Sequence, residues 1–581
     1  MPEARVLRQL VEALLFERIA SWPNERFSQH ASAAREILFV VGDGSYRCRG
    51  RVTAFGRVRL VEGSVRKVVH GAPQETSWQE VLADVPGDAA VKATIAEELD
   101  NTARLCRWNE LHLPSLRRNR RGLPYEELES LLHEGHPYHP CFKARAGFSL
   151  ADHAAYGPEA GQTFELRWLA VQRARLTQTF PTNEAGHFRA ELGASGYTFL
   201  VDAQRRCGAE VAQYGLLPVH PWQWQKLAGS PSLAAALARR ELVDLGVAPG
   251  RYRASQSLRT LLPVSSAASH LKLPLAVRVS SSLRTLPAET VKAAPALSAW
   301  LQSLVASDPF FDEVSGAVVL AEHASSLYEP AADVPELDGN LAAIWREPVG
   351  PRLRGGEQAI PFNALFAVEH DGRPYVDAWL QRHGTAAWVM QLLRVTLLPL
   401  WRLLSHHGVA LESHAQNLLL LHRDGWPTRV ALRDFHDSAE YVPSFLADPS
   451  RVPLWAELDT RFAAAPAGRH YAMQSVVELR DLFIDAVLIF NLSELSWLLE
   501  QSCGFAEGEF WKLAREVLWG YARSRWSDPE REAALRLHEP FVHTESLFEA
   551  RLQKPSAPLR HHQVPSALYD HAQREIHAGH Q

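Results

Sequence analysis

The stretch LESHAQNLLLLHRDGWPTRVALRDFHD, residues 411–437, decides the fold of the C-terminal part of this chain. Two apolar runs flank an Asp-Gly turn at 424–425, a pattern typical of a β-hairpin. Polar side chains stand at the open end of this hairpin, with Glu412 and Asn417 before it and Asp434 after it. Because Mg²⁺ prefers carboxylate and amide oxygens, these three side chains are the predicted metal ligands.

The residues before the hairpin predict a helix that ends at Gly408, since glycine is common just past a helix C-terminus. A helix, a polar loop ending in Asn, a hairpin and an Asp is also the order in which kinase-like enzymes hold magnesium on ATP. A purely structural hairpin would leave two acids, an amide and His414 beside apolar strands without a role. A magnesium–nucleotide site is therefore the stronger interpretation.

A second polar cluster lies earlier in the chain. Ser257, Arg259 and Thr260 offer two hydroxyls and a guanidinium within four residues, a set suited to phosphate oxygens. The alternating apolar residues of the following segment, 272–284, predict one strand with a single buried face. The opposite face would carry Lys272, Arg278 and Ser280, and also Arg284 if the strand continues that far. Such a row of cations favours an anion site, and a solvated edge strand is an equal alternative.

A third cluster is the segment HEGHPYHPCFKAR, residues 133–145. Proline disfavours the helical conformation in the residue before it, so His136 and His139 predict a stiff, extended loop rather than a helix. Together with Lys143 and Arg145, the loop resembles a docking surface for phosphates or carboxylates. A structural His-Pro turn is the better interpretation for any single histidine, but not for the whole run.

Composition excludes several classes of protein. The chain has 581 residues, a net charge of −5 and no basic block that would follow a phosphate backbone, so we expect no nucleic-acid partner. Its five cysteines form no CxxC pair, which favours reduced thiols in a cytoplasm. Apolar residues at helical spacing predict an amphipathic N-terminal helix instead of a signal peptide. The stretch 386–404 contains two arginines and is predicted to be too polar for a bilayer, so we expect no membrane association.

The usual signatures of several enzyme classes are missing from the sequence. It has no GxxxxGK[ST] loop, no strand-linked GxGxxG, no HExxH and no GxSxG, so P-loop, Rossmann, zincin and serine-hydrolase mechanisms lack support. An arginine-rich stretch, 117–121, marks a plausible first domain boundary. The tail Pro555–Gln581 is rich in His, Pro and Gln, and we expect a frayed terminus there.

Taken together, the clusters resemble the IucA/IucC family, the siderophore synthetases that act independently of nonribosomal peptide synthetases. The matching stretches follow one another in the order expected for that family. They are 135–147, 217–223, 257–260, 272–284, 412–417 and 433–435. Each motif is weak alone, whereas the ordered set is highly specific.

The resemblance implies an α+β fold shaped like a cupped hand. Its parts would be a thumb, 1–124, an N-terminal α/β region; fingers, 125–360, which bind ATP and substrate; and a mostly helical palm, 361–581, which contains the kinase-like hairpin and binds magnesium. It also implies a homodimer. The implied reaction begins when a substrate carboxylate attacks the α-phosphorus of ATP and pyrophosphate leaves. An amine or hydroxyl then attacks the acyl-adenylate and releases AMP.

The family pattern also assigns site residues. The implied ATP contacts are His136, His139, Lys143, Arg145, Ser257, Arg259, Thr260 and Lys272. The implied carboxylate contacts are Ser280, Arg284 and His414, and the catalytic set is His414, Arg284 and Lys272. Position 280 departs from the Thr expected there but keeps the hydroxyl. The family often has a basic residue near the C-terminus, for which Arg551 and Lys554 are the candidates.

Two other functions remain open from the residues alone. A kinase-like phosphotransferase would use the hairpin but would produce ADP, and a non-catalytic citrate or siderophore binder would not need three magnesium ligands. The carboxylate could be free citrate, 2-oxoglutarate or a citryl intermediate that already carries an amine. The version of the motif at 141–145 favours the last of these. In the second half-reaction, His414 or a neighbouring acid could take the proton of the attacking amine.

Overall fold

The computed structural model describes residues 2–23, 33–264, 268–279, 283–435, 439–466, 468–553 and 560–569. It mixes helices and strands throughout, with most helices in the C-terminal part. Two sheets matter for function, one of eight strands and one of four.

The N-terminal part is a five-stranded antiparallel sheet that packs with three helices. The predicted amphipathic helix is observed at Pro2–Phe16. The strands are Arg35–Val41, Gly44–Val52, Val58–Leu60, Arg66–Val69 and Ala72–Glu75, and the other helices are Trp78–Asp84 and Ala89–His112. The first two strands form a tight hairpin, and Gly42 adopts a φ of 54° in its turn. A side chain there would collide with the backbone of Asp84, because its Cβ would lie 2.2 Å from that carbonyl oxygen.

The eight-stranded sheet occupies the middle of the chain. In spatial order its strands are Leu176–Thr179, Glu322–Tyr328, Ala342–Arg346, His270–Lys272, Thr260–Pro263, Leu242–Ala254, Thr163–Gln172 and Tyr214–Val219. The long helices Glu184–Arg206 and Ala288–Ser307 pack against it. Shorter helices of this part are Tyr125–Leu131, Leu150–Tyr156, Pro221–Ala228, Pro231–Ala238 and Phe310–Glu313.

The prediction of one strand across 272–284 is wrong. The chain leaves the eight-stranded sheet after Lys272, and Leu275–Arg278 pairs instead with Leu283–Arg284 in a separate two-stranded ribbon. Pro274 lies at the break, where its missing N–H cannot contribute to a ladder. Lys272 and Arg284 therefore do not share a strand face.

The four-stranded sheet contains the hairpin that was predicted from the sequence. Its order is Ala317–Val319, Trp426–Leu432, Leu418–Arg423 and Gln358–Pro361, so two of its strands precede the hairpin by many residues. Gly425 closes the turn at a φ of 84°, and a Cβ there would lie 2.2 Å from the ring of Trp379. Only glycine fits both constraints.

The C-terminal part is mostly helical, and its helix Thr385–Arg402 packs against the hairpin strand Trp426–Leu432. Thr385–Arg402 continues into a π-helical turn, Leu403–His407, and stops at Gly408 with a φ of 80°, which confirms the predicted helix end. The other helices are Asp377–His383, Trp455–Leu458, Thr460–Ala464, Val476–Phe483, the π-helix Ile484–Leu492, Ser493–Cys503, Glu507–Ala522, Pro529–Leu535 and Leu547–Leu552. Two-stranded ribbons pair Val409–Leu411 with Ala439–Tyr441, and Phe541–Glu545 with His561–Pro565.

The last of these ribbons corrects one expectation from the sequence. We expected a frayed tail from residue 555 onward, yet His561–Pro565 is a paired strand. Two helical stretches, Thr385–His407 and Val476–Cys503, are long and apolar enough to cross a membrane by length and composition. In their most apolar windows 78% and 83% of the residues are buried inside the fold, so their apolarity is explained by core packing.

Candidate functional site

Asp434 lies where the two sheets meet. It directly follows the hairpin and has a φ of 64°, in the left-handed region that non-glycine residues rarely adopt. Its Oδ1 lies 2.5 Å from Lys272 Nζ, and its Oδ2 accepts a hydrogen bond of 2.8 Å from Arg346 Nη1. Burial alone would raise the pKa of Asp434, but the charges of Arg346, Lys272 and Arg433 lower it well below its ordinary value. Asp434 is therefore ionised throughout the physiological range.

Lys272 reaches Asp434 from the eight-stranded sheet. Its Nζ also donates to Glu322 Oε1 at 2.6 Å, and both side chains are buried. Lys272 is thus shared between two carboxylates, one from each sheet. Arg346, whose Nη2 also lies 3.0 Å from His270 Nδ1, adds the second cation. Sequence patterns indicated Lys272 and Asp434, whereas Arg346 and Glu322 carry no local signal.

The polar loop before the hairpin is fixed by Arg433. Its guanidinium donates to both oxygens of Glu129, at 3.0 and 3.1 Å, to the hydroxyl of Tyr125 and to the carbonyl of Gln416. Its backbone N–H bonds the carbonyl of Asn417 at 3.0 Å. Arg433 therefore holds the end of the loop close to Asp434.

Of the three predicted metal ligands, Asn417 and Asp434 flank the open end of the hairpin, where the backbone N–H of Arg433 donates to the carbonyl of Asn417. Asn417 ends the loop beside Asp434, and its Nδ2 donates to the backbone carbonyl of Glu412 at 2.9 Å. The carboxylate of Glu412 lies near two other acids, Glu440 and Glu545. Burial and then the charge of Glu412 raise the pKa values of Glu440 and Glu545 to about 7. Glu412 thus lies near other acids, and Glu412, Asn417 and Asp434 together stay the predicted ligand set.

Three histidines, of which His139 is buried and His136 and His414 are half-buried, share one hydrogen-bonding arrangement. His414 Nδ1 accepts from the backbone N–H of Gln416, His136 Nδ1 from those of Tyr138 and His139, and His139 Nδ1 from that of Cys141, at 2.9 to 3.2 Å. An Nδ1 that accepts a hydrogen bond leaves the ring hydrogen on Nε2. Each ring therefore presents an Nε2–H donor.

Their surroundings keep these imidazoles neutral. Burial and then the charge of Arg284 lower the pKa of His414 to about 4, and burial followed by His414 lowers that of His136 to about 4. Burial and then His136 lower the pKa of His139 to about 3. His414, His136 and Arg284 thus lie near one another, and the two rings can donate to an anion without carrying charge.

The serine–threonine turn lies beside Lys272, as its predicted role requires. Thr260 is the register partner of Lys272 in the eight-stranded sheet. Ser257 Oγ accepts from the backbone N–H of Thr260 at 3.2 Å, and Arg259 Nη1 donates to the carbonyl of Thr285 at 2.6 Å. That bond ties the ribbon strand bearing Arg284 to the turn.

Lys143 and Arg145, the predicted cations of the histidine loop, lie in one ion-pair cluster. Both are buried and pair with Glu159, Lys143 through Nζ and Arg145 through two bonds of 2.9 Å. Arg145 Nη1 also lies 2.8 Å from His153 Nδ1. Their contact with ATP stays a prediction.

Two further predicted positions lie outside the described residues, Ser280 and Lys554. The other basic candidate near the C-terminus, Arg551, pairs with Glu98, whose Oε1 also lies 3.5 Å from Arg278. The charge of Arg551 contributes to the lowered pKa of His139, after burial and His136, so the C-terminal helix Leu547–Leu552 comes close to the histidine loop.

The chain matches known proteins over nearly its whole length. Residues 124–367 match the IucA / IucC family, and residues 386–566 match a family described as ferric iron reductase FhuF-like transporter. A relative from Bacillus anthracis, citryl-spermidine/3,4-dihydroxybenzoyl-citryl-spermidine:spermidine ligase, is 32% identical over 98% of this chain and 94% of its own length. The chain belongs to the IucA/IucC family.

Other comparisons agree with this assignment. The 2-[(L-alanin-3-ylcarbamoyl)methyl]-3-(2-aminoethylcarbamoyl)-2-hydroxypropanoate synthase of Staphylococcus aureus is 28% identical over 97% of this IucA/IucC chain and 92% of its own length. The crystal structure of petrobactin biosynthesis protein AsbB from Bacillus anthracis str. Sterne has a TM-score of 0.89 at 30% identity, covering 99% of this chain and 96% of that one. The resemblance seen in the sequence is confirmed. This IucA/IucC chain is a ligase of siderophore biosynthesis, which favours that prediction over the kinase-like enzyme and the non-catalytic binder.

Proposed function

We propose that this synthetase adenylates a carboxyl group of a citrate-type substrate with ATP and Mg²⁺ and then joins it to an amine. AMP and pyrophosphate are the products. The observation that carries the proposal is the ion pair of Lys272 with Asp434 between the two sheets, beside the neutral imidazole of His414, on which the charges of Arg284 and Asp434 act. A relative named as a ligase of spermidine to citryl-spermidine supports a polyamine or diamine as nucleophile and a citryl intermediate as carboxylate.

The proposal includes the three-part hand, with a thumb at 1–124, fingers at 125–360 and a palm at 361–581. In its support, Lys272 and Asp434 come from different sheets, so a ligand at their junction would contact both fingers and palm. The fingers contribute the Ser257–Thr260 turn, and the palm contributes the hairpin with Asn417. We also propose a cytoplasmic homodimer.

Asn417 and Asp434 fit a magnesium ion by their chemistry, since one offers an amide oxygen and the other a carboxylate. The ammonium of Lys272 contacts Asp434 here, so a cation already stands on this carboxylate. Glu412, whose backbone carbonyl accepts from Asn417, would be the second carboxylate of the set. Bound Mg²⁺ would supply charge neutralisation for the triphosphate.

The chain's own residues address the first barrier of adenylation, the repulsion between a carboxylate and a polyphosphate. Lys272 and Arg284 offset negative charge, and the Nε2–H groups of His136 and His414 donate to oxygens on which charge develops. Fixed donors in a buried site need no reorganisation during the reaction.

The same geometry argues against His414 as the base of the second half-reaction. Its Nδ1 is occupied by the N–H of Gln416 and its pKa is lowered to about 4, first by burial and then by Arg284. We assign His414 to holding the carboxylate. The attacking amine would enter in its uncharged form.

A product screen tests the proposal. Pyrophosphate and AMP would be measured with citrate, 2-oxoglutarate, succinate and citryl-amide acids, each with and without spermidine or a short diamine. We expect AMP and pyrophosphate in equal amounts, with the highest rate for a citryl amide plus a polyamine. ADP and phosphate as the only nucleotide products would overturn the adenylation mechanism.

A further inference from the structure

Two histidines and an aspartate meet beside a cavity that the proposed function does not use. Asp308 directly follows the helix Ala288–Ser307, and His406 and His407 end the π-helical turn before Gly408. One possible ligand atom from each of these three side chains lies within 4.8 Å of the other two. Asp308 and His407 are buried, and His406 is half-buried.

The π-helical turn places two consecutive histidines side by side. Consecutive residues of an α-helix do not face each other. Here the ring centroids of His406 and His407 are only 4.8 Å apart. Turns of this kind are rare and occur frequently at functional sites. His406 makes no hydrogen bond with the residues that the structure describes, so its half-buried ring is able to turn toward Asp308.

Asp308 and His407 are close to the geometry of two ligands on one metal ion. His407 Nε2 lies 2.9 Å from Asp308 Oδ2. Two ligand atoms of a tetrahedral zinc ion lie about 3.3 Å apart, because each is about 2.0 Å from the metal. A zinc ion would therefore replace the hydrogen between this nitrogen and oxygen with a shift of about 0.4 Å. The ring hydrogen of His407 would move to Nδ1.

Arg402 fixes the direction of the Asp308 carboxylate. Its Nε donates to Oδ2 at 2.7 Å and its Nη2 to Oδ1 at 3.3 Å, and the backbone N–H of Phe310 donates to Oδ1 at 3.0 Å. Carboxylates that bind a metal are commonly oriented by hydrogen bonds of this kind. The charge of Arg402 also opposes a cation, so we expect weaker binding than in a structural zinc site.

The cavity leaves room for a further ligand. It has a volume of about 330 Å³, and Leu304, Leu446 and Asp448 line it together with the two histidines and Asp308. This volume is more than enough for a water molecule. Three protein ligands with one open position are typical of zinc sites that bind an exchangeable ligand.

We propose that Asp308, His406 and His407 form a binding site for a divalent transition metal ion, and that the ion is Zn²⁺. Two imidazole nitrogens favour zinc over Mg²⁺, which prefers oxygen ligands, so the site differs in chemistry from the proposed magnesium ligands. The ion would fasten the end of the helix Ala288–Ser307 to the end of the helical stretch Thr385–His407, shortly before the loop that begins at Glu412.

Metal titration of the full-length protein tests the proposal. The protein would be treated with a chelator, dialysed into metal-free buffer and titrated with Co²⁺, whose visible absorption reports tetrahedral nitrogen and oxygen ligands. We expect about one equivalent of Co²⁺ to bind, Zn²⁺ to displace it, and millimolar Mg²⁺ to leave the spectrum unchanged. Calorimetry with Zn²⁺ gives the affinity. These titrations contain no nucleotide, so their outcome does not depend on the proposed function.

Three variants identify the ligands. His406→Ala removes a ring that makes no hydrogen bond, so the variant should fold. Loss of a contact behind a ligand already weakens metal binding about 10- to 100-fold, so loss of the ligand itself should weaken it by at least about 100-fold. His370→Gln changes an exposed histidine and should bind zinc as the unaltered protein does. Replacing the tail histidines His571, His577 and His580 with glutamine should also leave the site intact.

The melting temperature gives a second readout. Zinc that binds only the folded site should raise the melting temperature of the unaltered protein, and this rise should be absent in His406→Ala. The inference is overturned if the unaltered protein binds no Co²⁺ or Zn²⁺, or if His406→Ala binds them equally well. It is also overturned if binding disappears only when the tail histidines are replaced.

Discussion

The two buried charge clusters of this protein are built in opposite ways. Lys143 and Arg145 share Glu159, which follows them within the same stretch of chain. Lys272 and Asp434 are joined across two sheets and lie far apart in sequence. The first cluster fastens a loop to its own neighbourhood, whereas the second fastens one sheet to another at the place where substrates are expected. A basic sequence motif therefore identifies a cation but not its role. That role depends on whether the partner acid lies nearby in the chain or in another sheet.

The largest expected effect is that of Asp434→Asn. The change leaves Lys272 and Arg346 facing a neutral amide and removes a carboxylate from the proposed magnesium site. We expect pyrophosphate release to be abolished. Because removing one partner of a buried ion pair costs about 3–5 kcal/mol, the melting temperature should also fall.

A matched control is Asp424→Asn in the turn of the same hairpin, where asparagine tolerates the observed φ of 49°. It should retain activity and stability. Arg346, Lys272 and Arg433 lower the pKa of Asp434, so loss of its charge should lower stability. Partial recovery of activity by high Mg²⁺ or Mn²⁺ would support a metal role, and near-normal activity at low Mg²⁺ would remove Asp434 from that role.

The Glu159→Gln variant tests the cluster that Glu159 forms with Lys143 and Arg145. Burial is opposed by Arg145 and Lys143, which hold the pKa of Glu159 well below its ordinary value, so this carboxylate stabilises the fold at neutral pH. A group with a lowered pKa contributes stability above the unfolded value and loses it in acid. We expect a loss of about 3–5 kcal/mol at pH 7, measured by chemical denaturation, and a smaller difference toward acidic pH.

The kinetics of the folded Glu159→Gln protein show whether this cluster only holds the loop in place or also affects ATP binding. Unchanged KM values for ATP would mark this cluster as a fastening of the loop. A lower KM for ATP would instead show that Lys143 and Arg145, once released, reach the nucleotide as the family pattern implies.

Arg284→Ala should have a narrower effect. A charge-assisted guanidinium–carboxylate contact in a closed site is worth about 1.5–3 kcal/mol. We expect the KM for the carboxylate to rise roughly ten- to a hundredfold, with much less change in the KM for ATP. Steady-state kinetics with each substrate varied in turn tests this prediction. Equal increases in the two KM values would indicate that Arg284 maintains the shape of the site instead of binding the carboxylate.

The smallest effect concerns the acidic group near Glu412. Burial and the neighbouring carboxylates raise the pKa of Glu440 to about 7. A carboxyl group whose pKa is raised in the folded state binds its proton more tightly there. The stability of the fold therefore decreases as pH increases from about 4.5 to about 7. Glu440→Gln should therefore raise the free energy of unfolding by about 1–2 kcal/mol at pH 8 and by little at pH 5. Glu530→Gln, an exposed change, serves as the control, and equal gains at both pH values would contradict the argument.

Much of the framework followed from the sequence because it depends on local patterns. The hairpin at 418–432 and the helix end at Gly408 are set by turn residues and apolar runs. The strand at 272–284 was predicted wrongly because alternation outweighed the signal of Pro274. A proline between two short strands is the physical cue for a ribbon that leaves its sheet.

The partners of the charged residues could not be predicted from the sequence. Glu322, Arg346 and Glu129 reach their cations or carboxylates through tertiary packing, and nothing near them in the chain indicates this. The histidines illustrate the same limit. The sequence showed that His136 precedes a proline, but only the structure shows which ring nitrogen the backbone occupies.

The protonation state of these histidines determines whether nucleotide binding takes up protons from the solution. His136 and His414 have pKa values lowered to about 4, first by burial, so at neutral pH a bound polyanion would need to favour their protonated forms by about 4 kcal/mol each before they took up a proton. If the polyanion favours the protonated forms by less than this free energy, the neutral rings donate hydrogen bonds to it and no proton is taken up from the buffer. The measured heat of nucleotide binding should then be the same in buffers whose own ionisation enthalpies differ widely.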